Sequence, residues 1–268
     1  MPRRTAPGSS AMSKVSPKDD SNRPPGKTRR RTHRRSISKD AKLLMNTHPK
    51  PPPVRYAIAG AGGYGACRRA FLRNSGAFEI IGALEPNDAA MAAAETQEGK
   101  AIRRYQTMEE LCADSSVEAV FISTPAHLHI SQGWLAARAG KALFIEKPLG
   151  YDLEDCRKLV EFCEANQIPH GHGFTVPSNP LWVEVKRILD SGLLGRIVSV
   201  SVASMSTGGM FFPPDNWRFK KSKNPGGQLF QCGIHKIDLL RRLFGEGTWL
   251  AGYVRSDMTP AETDDGFV

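Results

Sequence analysis

Between residues 54 and 174, short apolar runs alternate with longer segments in which apolar residues recur every three or four positions. The short runs are rich in Val, Ile, Phe and Ala, which is typical of strands buried in a parallel sheet. We predict strands over 54–59, 78–84, 117–122, 141–145 and 169–174, and helices over 66–74, 89–98, 107–112, 128–139 and 152–165. Because strands that alternate with helices indicate βαβ units, the pattern predicts an α/β fold with a doubly wound parallel sheet.

The first predicted strand ends in the turn Gly-Ala-Gly-Gly-Tyr-Gly, residues 60–65, and a helix follows. Here Gly60 permits the tight turn, Gly62 lets the backbone approach a pyrophosphate, and Gly65 lets helix and strand pack closely. The helix N-terminus then receives the phosphate charge. Since strand, glycine pattern and helix occur together, we predict a Rossmann-type dinucleotide site formed by Gly60, Gly62, Gly63, Tyr64 and Gly65.

An acidic residue, Glu85, ends the second predicted strand, twenty residues beyond Gly65. A carboxylate there can accept hydrogen bonds from the adenosine ribose and repel a 2′-phosphate, so we expect NAD rather than NADP as the cofactor. The alternative interpretation of Glu85 is a solvated strand end. In an open parallel sheet the ligand lies beyond the carboxyl ends of the strands, so Gly60, Glu85, Thr124 and Lys147 should converge there.

Five separated motifs resemble one known family. They are the glycine turn, Thr124-Pro125 followed by His129, Glu146-Lys147-Pro148, Gly226-Gly227, and Gly233-x-His235-x-x-Asp238. Together they resemble the Gfo/Idh/MocA family of NAD(P)-dependent sugar and inositol oxidoreductases, over residues 54–268. The resemblance implies a Rossmann-type domain followed by an α+β domain with an open, mainly antiparallel sheet.

The resemblance also implies roles for individual residues. Lys147 would lie between nicotinamide and substrate, and His235 would act with it on the hydroxyl that is oxidised. A Lys or His whose pKa lies near neutrality can take the hydroxyl proton during hydride transfer. The implied cofactor residues further along the chain are Thr124, Pro125, His129, Glu146 and Lys147, and the implied substrate residues are Lys147, Trp217, Arg218, Gln231 and His235.

Some of these residues have alternative interpretations. Lys147 could be a surface lysine with a buried stem, and His235 could cap or pack the apolar helix predicted over 234–244. The aromatic loop that contains Trp217 and Arg218 could wall a sugar site or simply be packed in a core, and the sequence leaves that choice open. The expected substrate is a secondary hydroxyl of a sugar, inositol or related polyol.

The chain departs from the family pattern at two positions. Gln231 stands where family enzymes usually carry an aspartate; it can bond a hydroxyl or orient an imidazole, but it cannot supply negative charge. Val176-Pro177-Ser178 stands where an arginine is usual. These departures favour an alternative hypothesis, a non-catalytic dinucleotide sensor or regulatory protein on the same fold.

For domain organisation, we predict a tail over 1–50, a dinucleotide-binding domain over 51–174, and a substrate and oligomerisation domain over 175–268. Strands are expected over 197–203, 250–254 and 266–268. So few strands leave edges unpaired, which led us to expect a truncated gene model or a fragment. Relatives often pair through this sheet, so a homo-oligomer is a possible assembly, although half of that surface is absent from this sequence.

The net charge of +10 is concentrated in the tail. Residues 1–50 hold 14 Lys and Arg against 3 Asp and Glu, whereas residues 51–268 hold 23 against 24. The tail lacks apolar periodicity before residue 41, so we expect disorder. Its basic run 29–35 has no aromatic residue for base stacking, which makes nucleic acid an unfavoured partner. Translation from Met45 is an alternative that would remove most of the tail.

The remaining side chains favour no metal or membrane function. The pairs His127 and His129, and His170 and His172, lack further ligands at a familiar zinc spacing, so no metal is expected. The five cysteines form no Cys-x-x-Cys pair and are interpreted as reduced. No apolar stretch approaches the roughly 20 residues that a bilayer span needs, and no signal core is evident, so a cytoplasmic location is expected.

Overall fold

The structure is a computed structural model that describes residues 51–205 and 211–268, with only the backbone described at Pro177. The predictions of a disordered basic tail over 1–50 and of a start at Met45 lie outside the described residues. Residues 51–268 pack as one unit. The predicted boundary between two domains at 174 and 175 stays a prediction.

Six parallel strands form the predicted sheet, in the order β3-β2-β1-β4-β5-β6. Their bounds are β1 Val54–Ala59, β2 Phe78–Leu84, β3 Arg103–Tyr105, β4 Ala119–Ile122, β5 Ala142–Ile145 and β6 His170–His172. This is the doubly wound order whose switch point lies between β1 and β4. The fold class is therefore confirmed. β3 was not predicted, because two arginines leave it without an apolar run.

Helices connect the strands and cover both faces of the sheet. Their bounds are α1 Tyr64–Ser75, α2 Asp88–Glu98, α3 Met108–Ala113, α4 His129–Arg138, α5 Leu153–Ala165, α6 Pro180–Asp190 and α7 Ile234–Phe244. Side-chain caps fix several starts: Asn87 accepts from Ala90 N–H, and Asp152 accepts from Asp155 N–H. Such caps satisfy N–H groups that have no partner inside the helix.

Two apolar layers, one on each face of the sheet, form the core. On one face Tyr56, Phe78, Phe121 and Phe144 stack or meet edge to face, with ring centroids 5.1–6.2 Å apart. Removing one such ring typically costs about 3–5 kcal/mol. The core thus fixes the strand ends, from which the candidate site is built.

The C-terminal part departs from the sequence prediction. Residues 197–203, expected as a strand, make no sheet, and Val198 is 89% exposed. A strand persists only where a neighbour pairs with its N–H and C=O groups, and no described strand runs beside these residues. The antiparallel sheet in the described residues consists of β7 Val254–Arg255 and β8 Gly266–Phe267.

Short helical turns complete this part: 3₁₀ turns at Ala126–Leu128, Val176–Ser178 and Trp217–Phe219, and a π-helical turn, Leu229–Gly233, that leads into α7. Among the helices in the described ranges, none has the length and apolar character that crossing a membrane requires.

Candidate cofactor and catalytic site

Register pairing brings the carboxyl ends of β1, β2, β4 and β5 to one edge of the sheet. Ala59 lies opposite Leu84 on one side and Ile122 on the other, and Ile122 lies opposite Ile145. The residues that follow these strands therefore emerge side by side. They include the four residues that the sequence pattern places at this edge, Gly60, Glu85, Thr124 and Lys147.

The glycine turn has the geometry of a phosphate cradle. Gly60 has φ +84°, and a Cβ there would lie 2.7 Å from the Ser123 carbonyl oxygen. A Cβ on Gly65 would lie 2.0 Å from the Gly60 carbonyl oxygen, so α1 approaches the strand more closely than any side chain permits. Gly63 faces open space, and no described group accepts from the N–H of Gly63 or Tyr64. These free amides at a helix N-terminus fit a diphosphate.

Glu85 braces this turn. Its Oε2 accepts from Ala61 N–H at 2.9 Å and Gly62 N–H at 3.1 Å, and its Oε1 accepts from Asn87 N–H at 3.0 Å. The side chain is 8% exposed. Glu85 therefore stabilises the turn through main-chain hydrogen bonds, and its burial does not fit the interpretation as a solvated strand end.

Arg104 lies in β3, opposite Ala83 of β2, and holds the segment after Glu85. Its Nε donates to the Glu85 carbonyl at 3.1 Å, its Nη2 donates to the Pro86 carbonyl at 2.9 Å, and its Nη1 pairs with Asp88. Each of the three guanidinium nitrogens thus has one acceptor beside the strand end. Sequence reasoning missed Arg104, because its partners lie 16–19 positions away in the chain.

His129 links two loops of the site from behind. Nδ1 lies 2.7 Å from the Pro148 carbonyl oxygen and Nε2 lies 2.9 Å from the Thr124 carbonyl oxygen, and the residue is 1% exposed. Burial lowers the pKa of His129 and outweighs the two carbonyls, which act in the opposite direction. His129 therefore positions the Thr124-Pro125 and Lys147-Pro148 segments rather than lining the open side of the site.

Glu146 is paired with Arg68 of α1 and not with Lys147. Arg68 Nε donates to Glu146 Oε1 at 2.9 Å and Nη2 donates to the same oxygen, with the two side chains 11% and 7% exposed. The guanidinium also lies 4.5 Å from the centre of the Phe144 ring. This buried pair joins the helix of the glycine turn to the end of β5.

Lys147 reaches from β5 to the C-terminal part. Its Nζ donates to the Gln231 carbonyl at 2.6 Å. That carbonyl lies in the π-helical turn, a conformation often found at functional sites. Burial, and after it the charge of Arg218, lower the pKa of Lys147. The ammonium is half-buried, and this environment makes it a stronger candidate for proton transfer than a surface lysine.

His235 begins α7 close to this lysine. Its Nδ1 is buried and has no hydrogen-bond partner among the described residues. Burial lowers the pKa of His235, and the nearby charge of Lys147 lowers it further. Phe174 packs edge to face against the imidazole, with centroids 5.7 Å apart. Asp238 binds Arg242 through both carboxylate oxygens at 3.0 Å and makes no bond to His235.

The Gln231 side chain belongs to a buried amide network. Its Nε2 donates to Tyr151 Oη at 3.4 Å and to Asn224 Oδ1 at 3.3 Å, and Tyr151 donates to the same Asn224 oxygen at 3.0 Å. Burial raises the pKa of Tyr151 to about 12. Gln231 thus orients Tyr151 and Asn224, not the imidazole of His235. Sequence reasoning missed Tyr151 and Asn224, which carry no motif.

Trp217 and Arg218 lie on the same side of the molecule as these residues. The Trp217 ring centre is 6.2 Å from that of His127, which follows β4. Trp217 is half-buried, so the structure leaves both of its sequence interpretations possible. Within residues 51–205 and 211–268, no three His, Cys, Asp or Glu side chains cluster as metal ligands would.

The chain matches two family models in succession. Residues 54–173 match the oxidoreductase family with an NAD-binding Rossmann fold, GFO/IDH/MocA, and residues 182–268 match a GFO/IDH/MocA C-terminal domain. The chain belongs to the Gfo/Idh/MocA oxidoreductase family. The resemblance inferred from five motifs is therefore confirmed.

Curated relatives of this family member include inositol 2-dehydrogenase from Rhizobium meliloti, 28% identical over 193 residues, which are 72% of this chain and 56% of the relative. Levoglucosan dehydrogenase from Pseudarthrobacter phenanthrenivorans is 32% identical over 134 residues, 50% of this chain and 34% of the relative. The structure of a levoglucosan dehydrogenase with NADH and levoglucosan has a TM-score of 0.69 at 24% identity, covering 80% of this chain and 62% of that chain. This family member spans about half the length of its first curated relatives.

Proposed function

We propose that this protein is an NAD-dependent oxidoreductase that oxidises a secondary hydroxyl of a sugar, inositol or related polyol. One observation carries the proposal. The half-buried Lys147 ammonium, whose pKa is lowered, follows β5 at the same edge of the sheet as the glycine turn. His235 lies near it and has an unpartnered ring nitrogen among the described residues. The names of the curated relatives, among them inositol 2-dehydrogenase and levoglucosan dehydrogenase, support the same substrate class.

The residues have separate tasks in this proposal. The free amides of Gly63 and Tyr64 would hold the diphosphate, and the segments carrying Thr124 and Pro125 would border the cofactor. Bound NAD supplies the acceptor of the hydride. Lys147 or His235 would take the hydroxyl proton while the hydrogen on the same carbon leaves as hydride to that acceptor. The alcohol would become a ketone, and one proton would stay on the protein.

Two contacts support NAD over NADP. Glu85 places negative charge at the strand end where an adenosine ribose would bind, and this charge opposes a 2′-phosphate. Arg104, a cation that could otherwise receive that phosphate, is already bound to Asp88 and two carbonyls. We therefore expect NADH to bind at least tenfold more tightly than NADPH in calorimetric titration. Equal affinities would contradict this assignment.

A second candidate, a dinucleotide sensor without turnover, is favoured by one specific observation. Asp238 forms its hydrogen bonds with Arg242, so among the described residues no carboxylate bonds to the His235 imidazole to stabilise its protonated form. A panel of polyols and sugars, assayed with NAD by absorbance at the NADH band, distinguishes the two candidates. We expect turnover that Lys147→Ala lowers about 100-fold or more and that the exposed control Lys158→Ala leaves unchanged. NADH binding without turnover of any substrate would favour the sensor.

A further inference from the structure

Arg218 is a half-buried cation without a counterion in the part of the chain that the structure describes. No carboxylate lies within ion-pair distance of its guanidinium among the described residues, and no side-chain hydrogen bond from it is formed there. Other poorly exposed arginines behave differently: Arg68 pairs with Glu146, Arg69 with Glu98, and Arg104 with Asp88. A charge removed from water is normally paired, so Arg218 calls for a partner that the described chain does not supply.

Two aromatic rings hold the guanidinium in place. Its carbon lies 4.8 Å from the centre of the Phe212 ring and 4.5 Å from that of Trp217. The Asn216 side chain accepts from the Arg218 N–H at 3.0 Å and fixes the backbone of the turn. Stacking leaves the in-plane N–H donors of a guanidinium free for a bidentate acceptor. The arginine is therefore pre-organised to bind an anion.

The surroundings connect Arg218 with the candidate catalytic lysine. Arg218 lines a cavity of about 130 Å³ together with Gln231, whose carbonyl accepts from Lys147 Nζ. The Arg218 charge lies near enough to lower the pKa of Lys147. Like charges repel each other, and a bound anion would relieve that repulsion.

Two carboxylates also line this cavity, and each accepts hydrogen bonds from main-chain donors. Asp265 accepts from the N–H groups of Met258 and Thr259 at 2.6 and 2.7 Å, and Asp264 accepts from Leu229 N–H at 2.8 Å. Neither is paired with Arg218. The guanidinium thus keeps its side-chain N–H donors free on this cavity wall.

We propose that Arg218 binds an anionic group of the substrate, so that this oxidoreductase prefers sugars or polyols that carry a carboxylate or a phosphate. The inference rests on the proposed function and narrows its substrate class. A planar carboxylate or a phosphate can each accept two parallel N–H bonds from the guanidinium.

Matched substrate pairs test this proposal. Oxidation by NAD is measured for D-glucuronate against D-glucose and D-galacturonate against D-galactose, with D-glucose 6-phosphate as the phosphate arm. Calorimetric titration of each compound into the NADH-bound protein measures binding independently of turnover. The variants are Arg218→Gln, Arg218→Lys, and the exposed control Arg196→Gln. NADH affinity and the thermal midpoint of each variant are measured alongside.

We expect at least one acid or the phosphate to have a kcat/KM at least tenfold above that of its neutral partner. Arg218→Gln should lower this value at least about 30-fold while NADH affinity stays unchanged, because a desolvated charge pair is lost. Arg218→Lys should retain part of the preference, and Arg196→Gln all of it.

A best substrate that is neutral, an anion preference that survives Arg218→Gln, or failure of every anion to bind while NADH binds normally would each overturn the inference. The relative success of the acids and of the phosphate identifies the anion. Failure of NADH itself to bind would instead overturn the proposed function.

Discussion

Glu85 accepts three main-chain hydrogen bonds, two at Oε2 and one at Oε1. A carboxylate oxygen has about two acceptor positions, so Oε2 is filled and Oε1 keeps one position open. The same side chain can therefore shape the glycine turn and accept one further hydroxyl bond. This dual use explains why a carboxylate, and not an amide, suits the strand end.

Glu85→Gln tests this interpretation, because the new NH₂ group cannot accept a hydrogen bond. Whichever way the amide turns, at least one of the three N–H groups loses its acceptor. We expect NADH affinity, measured by calorimetric titration, to fall at least tenfold and the preference over NADPH to narrow. The exposed control Glu79→Gln should bind NADH as the parent protein does. Unchanged NADH affinity in Glu85→Gln would refute the role assigned to this carboxylate.

The pH dependence of oxidation tests Lys147 and His235. The pKa of each is lowered mainly by burial, Lys147 from its ordinary 10.5 and His235 from its ordinary 6.5. A base must be neutral to take the hydroxyl proton, so kcat/KM should fall as the pH drops through its pKa. We expect Lys147→Ala to lose about 100-fold or more of kcat, in line with the loss of a proton acceptor.

His235→Gln distinguishes the two bases. If Lys147 is the base, His235→Gln lowers kcat but leaves the acidic limb of the kcat/KM profile in place. If the acidic limb of the kcat/KM profile disappears in His235→Gln and persists in Lys147→Arg, the base is His235 instead.

Sequence reasoning found the residues that stand in motifs and missed those that support them. Glu85 and Lys147 follow apolar runs. They therefore lie at the carboxyl ends of parallel strands, where such sheets bind ligands. Arg68 and Tyr151 escaped notice because their partners lie 78 and 73 positions away in the chain. Only packing brings such residues together, and a single sequence does not record it.

Among the secondary-structure elements, the buried ones were the most predictable. Apolar runs fixed β1, β2, β4 and β5 to within a few residues, since strands covered on both faces need apolar side chains throughout. β3 was missed because its residues are Arg-Arg-Tyr. The strand expected over 197–203 was wrong, because alternating valines make a strand only where a partner pairs with it.

The Arg68–Glu146 pair links α1 to the end of β5, and a double-mutant cycle measures that link. Removing one partner of a buried pair leaves the other charge unpaired, so Arg68→Met and Glu146→Gln should each lower the free energy of unfolding by about 3 kcal/mol. The double variant should lose much less than the sum of the two. Urea unfolding provides the values, with m-values compared among all four proteins.

Arg157→Met provides the matched control for that cycle. Arg157 pairs with Glu154 on the surface of α5, where both side chains are more than half exposed. Exposed pairs contribute little, so this variant should unfold almost as the parent does. Additive losses in the Arg68 and Glu146 cycle would mean that the two side chains are not coupled.

Taken as a whole, the molecule has a tightly packed sheet and a sparsely packed C-terminal part. Ala57, Ile58 and Val120 are completely buried, whereas Met205 is 95% and Leu250 91% exposed. The sequence predicted the first part, because its apolar periodicity matches its burial. The sequence could not predict the C-terminal part, because apolar residues there remain exposed and no neighbouring strand pairs with them among the described residues.

The overall stability should depend on pH through the buried histidines. Burial lowers the pKa of His129, His172 and His235 below the ordinary value of 6.5. Just below that pH the unfolded chain binds protons that the folded protein does not, so folding loses stability as the pH falls. Each histidine contributes at most about 1.4 kcal/mol per pH unit in this window. The lowered pKa of Asp114, about 2, acts only below roughly pH 4.

We therefore expect the free energy of unfolding in urea to decrease between pH 6.5 and 5. His172→Asn should reduce this decrease, because it removes one of the groups that the unfolded chain protonates. Its ring packs 4.8 Å from that of Phe174, so the variant is compared with Phe174→Leu, which perturbs the same contact without changing a titrating group. A parent protein whose stability rises on acidification over this range would show that the carbonyl contacts of His129 outweigh burial, and would reverse the sign argued for that residue.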